Sequence, residues 1–246
     1  MTSAADGVSG APPPVGAPLE CAFFARPVLE VAPDLIGCTF LFDGVGGRHV
    51  EVEAYRRDDP ASHSYRGRTV RNAVMFGPPG RLYVYFTMGL HFCVNVVCQG
   101  EGEAAAVLLR ALEPTRGLEL IRARRSPDGR SAHKLGGSAL DDLRRLCSGP
   151  AKLTQALAIT RADDGAPACE PGERFGFFSR DAGADEAGGP GGSGDVDGAS
   201  LHRAPRIVTT TRIGVTAGAE RPWRFVDADS AFLSRPLPRR LRPGRG

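Results

Sequence analysis

The sequence predicts an α+β fold: a single domain with a curved, mostly antiparallel β-sheet and peripheral helices. Three observations predict it. Residues alternate at strand spacing in paired runs, 38–55 and 82–98, and each pair is divided by a glycine-containing turn, the pattern of hairpins. Helical periodicity is confined to short segments outside those runs. The chain has 246 residues, 41% hydrophobic and 24% charged, enough for one large core and ordinary for a globular protein.

Residues 1–19 are rich in Ala, Gly, Pro and Ser, a composition that cannot repay ordering entropy, so they read as a disordered tail ahead of a domain over 20–233. PVLEVAPDLIG reads as a short helix that Pro33 interrupts and Gly37 ends, with Leu29, Leu35 and Ile36 offering apolar contacts. Cys38 to Phe42 is a strand, Asp43 to Gly47 a turn and Arg48 to Tyr55 the returning strand. In that strand Val50, Val52 and Ala54 alternate with Glu51, Glu53 and Tyr55, so two carboxylates and a phenol share a face too polar for ordinary core.

From Arg56 to Arg81 periodicity is lost. This loop holds His63, Gly67, Gly77, Pro78, Pro79 and Gly80, with Arg66, Arg68, Arg71 and Arg81 spread through it. A long irregular loop in a compact domain is usually functional or mobile, and its cations can contact phosphates. Leu82 to Met88 sets Tyr83, Tyr85 and Thr87 opposite Leu82, Val84 and Phe86, and Gly89 permits the reversal into His91 to Cys98. With Met88-Gly89-Leu90 as the turn, Thr87 pairs with His91 and Tyr85 with Cys93, which puts Tyr85, Cys93 and Asn95 on one face. An aromatic, an amide and a carboxylate can therefore meet in one pocket.

Val107 to Leu112 reads as a buried strand that includes Arg110, and Pro114 to Arg125 as a helix with Leu118, Leu120 and Ile121 against the core. After a polar loop, Leu140 to Leu146 forms a short helix. Ser148-Gly149-Pro150 then starts another, carrying Leu153, Ala156 and Leu157 at helical spacing, and its free N–H groups, with Lys152 close by, would welcome a phosphate. A flexible Gly-rich insertion follows at about 180–205. Ile207 to Val215 and Trp223 to Val226 are short strands, and 234–246 is a basic, Pro-rich tail that either adds non-specific nucleic-acid affinity or is simply solvated.

The formal net charge is +3, but acids gather around Asp181 to Asp197, so the folded body is more basic than the total. Only Lys134 and Lys152 are lysines among 31 basic residues; arginine suits phosphate and minor-groove contacts, and it equally reflects genomic base bias. The six cysteines have no C-x-x-C pair and no clustered histidines, which gives zinc little support and leaves them as small apolar filler in a reducing cytoplasm. No signal peptide and no long apolar segment is present, so the expectation is a soluble intracellular protein without membrane contact.

The segments EVEAY, DDPASH, RNAVMFGPPG, LYVYF and FCVN, followed by LLRALEP and SGPAKLTQALAI, resemble the alkyladenine (3-methyladenine, methylpurine) DNA glycosylase family in order and spacing. The likeness runs from about Leu29 to Ile159, with a weaker match at RIGV and PWRF. It implies a monofunctional glycosylase that flips alkylated or deaminated purines out of duplex DNA and hydrolyses the N-glycosidic bond, leaving an abasic site. By resemblance Tyr55, His63 and Tyr85 form the base sandwich, where an electron-poor alkylated purine stacks well on electron-rich faces. Glu53 is the general base that activates water, with Glu51 as a partner that could tune it. Arg110 and a backbone carbonyl near Ile213 help to hold the water, and an arginine beside Glu53 favours its ionised form. Asn95 is the pocket amide that disfavours the guanine exocyclic amine. At the hairpin tip the family carries Tyr in a YGM segment; this chain has Met88, and methionine is among the residues used as wedges. Arg68, Arg71 and Lys152 contact the DNA backbone in this reading.

The same residues have plainer readings: Tyr85 as sheet packing, His63 as an exposed loop residue, Glu51 and Glu53 as exposed strand carboxylates, Asn95 as a tie between strand ends. No lysine lies between Glu51 and Asn95, which argues against a Schiff-base lyase. No cofactor is implied, and no H-x-E with P-C-x-x-C suggests a zinc deaminase. Two other functions stay open, a catalytically weakened lesion-binding protein and a small-molecule nucleosidase. The expected partner is double-stranded DNA with damaged purines, met by a monomer in the cytoplasm, on the nucleoid if the source is bacterial.

Overall fold

A computed structural model describes residues 16–126, 139–170, 175–180 and 203–241. Among them eight strands form one sheet: β1 (Thr39–Phe42), β2 (Val45–Tyr55), β3 (Leu82–Thr87), β4 (His91–Cys98), β5 (Ala105–Arg116), β6 (Phe175–Phe178), β7 (Ile207–Thr210) and β8 (Arg224–Asp227). The order is β3-β4-β5-β2-β1-β6, with β8 added to β2 and β7 to β8, and each of these pairs is antiparallel. β5 occupies one edge of β2 from Gly46 to Tyr55, so β1 and β8 must share the other edge, at 45–48 and 51–53. The sheet opens and curls there, as the α+β expectation required.

Helices α1 (Cys21–Phe24), α2 (Val28–Leu35), α3 (Leu118–Arg125), α4 (Ala139–Leu146) and α5 (Pro150–Leu157) lie at the periphery. Each of the longer ones whose side chains are described buries an apolar stripe: Val28, Val31, Ala32 and Leu35 from α2, Ile121 from α3, Leu153, Ala156 and Leu157 from α5. These meet Phe40, Val52, Val84, Val94, Val96 and Leu109 of the sheet in the main core. Burying one such side chain stabilises by about 1.5–3 kcal/mol.

Several expected boundaries move. Pro33 sits inside α2 rather than interrupting it, because near the helix end it removes only its own bond to the Leu29 carbonyl. The β1–β2 turn is just Asp43-Gly44, with φ of 50° and 72°, so Val45, Gly46 and Gly47 belong to the strand. Two successive positive φ angles match the hand of the hairpin twist, which suits Asp-Gly. Pro114 to Arg116 continue β5 against Gly46 and Gly47, so α3 begins at Leu118 and not at Pro114, and Leu120 is exposed. Of the strands expected over 207–215 and 223–226, pairing covers Ile207–Thr210 and Arg224–Asp227. Within the tail expected over 1–19, Leu19 donates its N–H to Phe177 and Ala17 accepts one from Ser179. The Gly-rich insertion falls mostly on 181–202, outside the described residues. No helix among the described residues is long and apolar enough to cross a membrane.

The cysteines are not uniform filler. Cys38, Cys93, Cys98 and Cys147 are free and buried, but Cys21 and Cys169 form a disulfide across 148 residues. It ties α1 to the loop before β6. Gly80, at φ +77°, lies under it, and a Cβ there would stand 2.2 Å from the Cys169 sulfur.

His49 is a second surprise of the core. Wholly buried, its ring lies roughly parallel to Phe40 and Phe177, and neither ring nitrogen has a hydrogen-bond partner. Burial pushes its pKa down to about 3. The unfolded chain therefore takes up a proton near pH 6.5 that the folded chain refuses, so stability present above pH 6.5 is lost as the pH falls towards 3. Between pH 6.5 and 5 this amounts to about 2 kcal/mol. Urea titrations at both pH values check it: His49→Phe should show a correspondingly smaller loss than the parent.

Candidate active site

β2 carries the polar face, but strict alternation does not hold along it. The β2–β5 register shifts between His49 and Val52: His49 faces Leu112, Glu51 faces Ala111 and Val52 faces Leu109, so Val50 and Arg110 have no opposite partner. Such a bulge bends the strand and re-aims side chains. Val50 packs with Ala111 and Phe232, apart from the core that takes Val52 and Ala54. The Arg110 guanidinium is brought between the two carboxylates, its Nε 2.9 Å from Glu51 Oε1 and its Nη1 3.3 Å from Glu53 Oε2.

Both glutamates are fully buried, which removes the reading of exposed strand carboxylates. Glu53 accepts from three donors: the Tyr55 hydroxyl at 2.8 Å and Arg110 on Oε2, and the backbone N–H of Ile213 at 2.7 Å on Oε1. It is thus the amide of Ile213 that meets Glu53. Glu51 accepts from Arg110, from Arg224 Nε at 2.8 Å and from both the N–H and hydroxyl of Ser234. Burial pushes the Glu51 carboxyl up, but the bonds and charges of Arg224 and Arg110, with Ser234, outweigh it and hold the group below the usual carboxylate range. Arg110 is in turn disfavoured by burial and held charged by Glu53 and Glu51.

A cavity of about 300 Å³ opens beside the three residues that bond Glu53. Tyr55, His63, Tyr83, Tyr85, Asn95, Arg110 and Ile213 line it, with Met75, Cys93, Leu108 and Pro150. Its aromatic wall is built as one unit: His63 meets Tyr85 edge-on, with ring centres 4.5 Å apart, and its Nδ1 is 2.9 Å from the Tyr83 hydroxyl. His63 and Tyr85 therefore form one side together, since no base fits between rings so close, and Tyr55 lines the cavity separately. His63 keeps an exposed edge, and partial burial, then Arg71, pushes its pKa down and favours the neutral ring. Asn95, buried, donates from Nδ2 to the Tyr83 carbonyl at 3.2 Å.

The β3–β4 register is Thr87 to His91 and Tyr85 to Cys93, so Met88 stands at the tip, with φ of 53° and 84% exposed. Leu90, Phe86 and Val70 are also exposed. Arg68 is exposed, and Arg71 reaches the Phe86 carbonyl at 3.3 Å. Lys152, in the first turn of α5, bonds the Ser148 hydroxyl at 3.2 Å. Burial and the charges of Arg125 and Arg145 push its pKa down. Among the described residues no group of His, Cys, Asp and Glu is arranged to hold a metal ion.

Sequence reasoning missed Tyr83, Arg212, Asp59, Arg224 and Ser234. Tyr83 shared the period of Tyr85 and could have been found. The others act across 153 to 183 residues, as with Arg212 on Asp59 and Ser234 on Glu51, and no local pattern marks them. Ser234 begins the segment expected to be a solvated tail.

The curled antiparallel sheet thus carries a buried carboxylate and arginine beside a cavity with an aromatic wall. The family model for methylpurine-DNA glycosylase matches residues 22–231, and the chain belongs to that family. Relatives provisionally named 3-methyladenine DNA glycosylase include proteins of Rhodopseudomonas palustris (strain HaA2), Bradyrhizobium diazoefficiens and Burkholderia lata, which are 49%, 46% and 44% identical. The alignments cover 92%, 93% and 92% of this chain and 95%, 96% and 95% of the relatives.

Proposed function

We propose that this protein is a monofunctional DNA glycosylase that extrudes alkylated or deaminated purines from duplex DNA and hydrolyses their N-glycosidic bonds, leaving abasic sites, and that it acts as a monomer. One observation carries the reading: Glu53, fully buried behind Tyr55, Arg110 and Ile213, which line the cavity, is met only by donors from those three residues. A carboxylate has about four acceptor positions, and these bonds take two on Oε2 and one on Oε1. The fourth, on Oε1, can orient a water and take its proton as the water attacks the anomeric carbon. Arg110 holds the carboxylate from the other side. A non-catalytic lesion sensor would have no use for that arrangement.

In this reading Tyr55 stacks on one face of the base and the His63–Tyr85 wall meets the other. Neutral His63 suits an often cationic alkylated purine, since it adds no positive charge beside it. Asn95 presents its amide to the base edge and disfavours a guanine amine. Met88 fills the gap left in the duplex, with Arg68, Arg71 and Lys152 on phosphates. The crowding of Lys152 by Arg125 and Arg145 is relieved by a phosphate.

Binding to lesion duplexes should weaken steeply with salt through counterion release. Replacing Arg68, Arg71 or Lys152 singly by Ala should flatten the slope of log K against log salt by about one unit each. Fluorescence anisotropy at several salt concentrations reads it; a slope near zero for the parent would favour a small-molecule nucleosidase.

Met88 lacks a ring to stack on neighbouring bases, an interaction of about 1–3 kcal/mol per base. Met88→Tyr should therefore strengthen binding to duplexes with well-paired lesions and change little on mismatched ones, whereas Met88→Ala should slow excision most on the former. Fluorescence of 2-aminopurine beside the lesion follows extrusion. Unchanged fluorescence and excision in Met88→Ala would remove Met88 as the wedge.

A further inference from the structure

Glu53 depends on the N–H of Ile213, yet the segment around Ile213 lies beyond the end of β7 at Thr210 and has no strand pairing of its own. What anchors it is the preceding residue. The Arg212 side chain is wholly buried and forks onto the carboxylate of Asp59, itself wholly buried, with Nη2 3.0 Å from Oδ1 and Nη1 on Oδ2. Nη1 also donates to the Ala54 carbonyl at 3.1 Å and Nη2 to the Gly218 carbonyl at 3.2 Å. The guanidinium carbon lies 4.6 Å from the Tyr55 ring centre and 5.2 Å from that of Trp223. Asp59 Oδ1 accepts the N–H of Ala61 at 3.2 Å, two residues before His63.

One guanidinium thus touches four parts of the site. It stacks on the Tyr55 wall, grips β2 between Glu53 and Tyr55, holds through Asp59 the loop that delivers His63, and fixes its own loop, which delivers Ile213. We propose that Arg212, locked to Asp59, is a positioning residue for base release, holding the Tyr55 ring and the Ile213 amide in register with Glu53. It does not touch Glu53. The role needs a planar face and a fork together, which arginine has and lysine lacks. Displacing reacting groups by about 1 Å can cost roughly a hundredfold in rate. The inference rests on the glycosylase reading above.

The test is single-turnover base release from duplexes bearing one defined methylated purine, with rate, amplitude and half-saturating enzyme concentration read separately. Arg212→Lys, which keeps the charge but not the plane, should slow the saturating rate by about tenfold or more and leave half-saturation within about twofold. Asp59→Asn, which keeps the volume and one acceptor, should slow it in the same direction. Combining the two should cost little more than the worse single change, because both break one lock. With enzyme in excess over DNA, loss of folded protein raises the apparent half-saturating concentration and leaves the saturating rate unchanged, so concentrations are counted as folded protein and a poorly folding variant is still readable. A raised half-saturating concentration with an unchanged saturating rate, or full rate in both variants, overturns the proposal. If the parent itself releases no base from any lesion duplex, the glycosylase reading has failed and the proposal falls with it; an active parent with unaffected variants sinks the positioning role alone.

Discussion

Glu53→Gln should lower single-turnover base release by at least about a hundredfold, the scale of general-base catalysis, while lesion-DNA affinity stays within a few fold. Glutamine keeps the shape of the side chain but cannot accept a proton from water. The three donors that converge on Glu53, from Tyr55, Arg110 and Ile213, also match a carboxylate better than an amide, whose NH₂ would face one of them. Rapid-quench release assays and a gel-shift titration measure the two quantities. Turnover near that of the parent would pass the role of base to another group, with Glu51 the nearest carboxylate. That outcome conflicts with the geometry, because four bonds, from Arg110, Arg224 and the N–H and hydroxyl of Ser234, already occupy the Glu51 carboxylate.

Arg110→Leu should have the largest effect on stability. The guanidinium stands between two fully buried carboxylates, and removing one partner of a buried ion pair costs about 3–5 kcal/mol because the remaining charge is left uncompensated. Arg110→Lys should fall between, since one ammonium cannot repeat the fork from Nε to Glu51 and from Nη1 to Glu53. Urea unfolding at pH 7 gives both numbers. Full stability in Arg110→Leu would mean that Arg224 and Ser234 on Glu51, with Tyr55 and Ile213 on Glu53, satisfy the two carboxylates.

Much of this site was legible because its parts are local. Period-two alternation and Gly89 fixed the β3–β4 register, and hence the shared face of Tyr85, Cys93 and Asn95. The family motifs marked Tyr55, His63, Arg110 and Ile213, which line one cavity, and Glu53, which three of them bond. What the sequence could not show is how long-range contacts settle local choices. The bulge opposite Val50 and Arg110 depends on pairing between strands far apart in sequence, and it sends Val50 away from Val52. Pro114 joins a strand because Gly47 lies beside it, although the local pattern favoured a helix. The Cys21–Cys169 bridge and the Ser234 contact to Glu51 join segments whose sequences give no sign of each other.

The most direct measurement incubates the protein with duplexes that each carry one defined lesion, 3-methyladenine, 7-methylguanine, hypoxanthine or an etheno adduct, and separates released base from DNA before and after alkali. A monofunctional glycosylase should release free damaged base from at least one duplex and leave a strand that breaks only after alkali. Binding to every lesion with no free base from any would contradict the account, and breakage without alkali, with a borohydride-trapped protein–DNA adduct, would contradict simple hydrolysis.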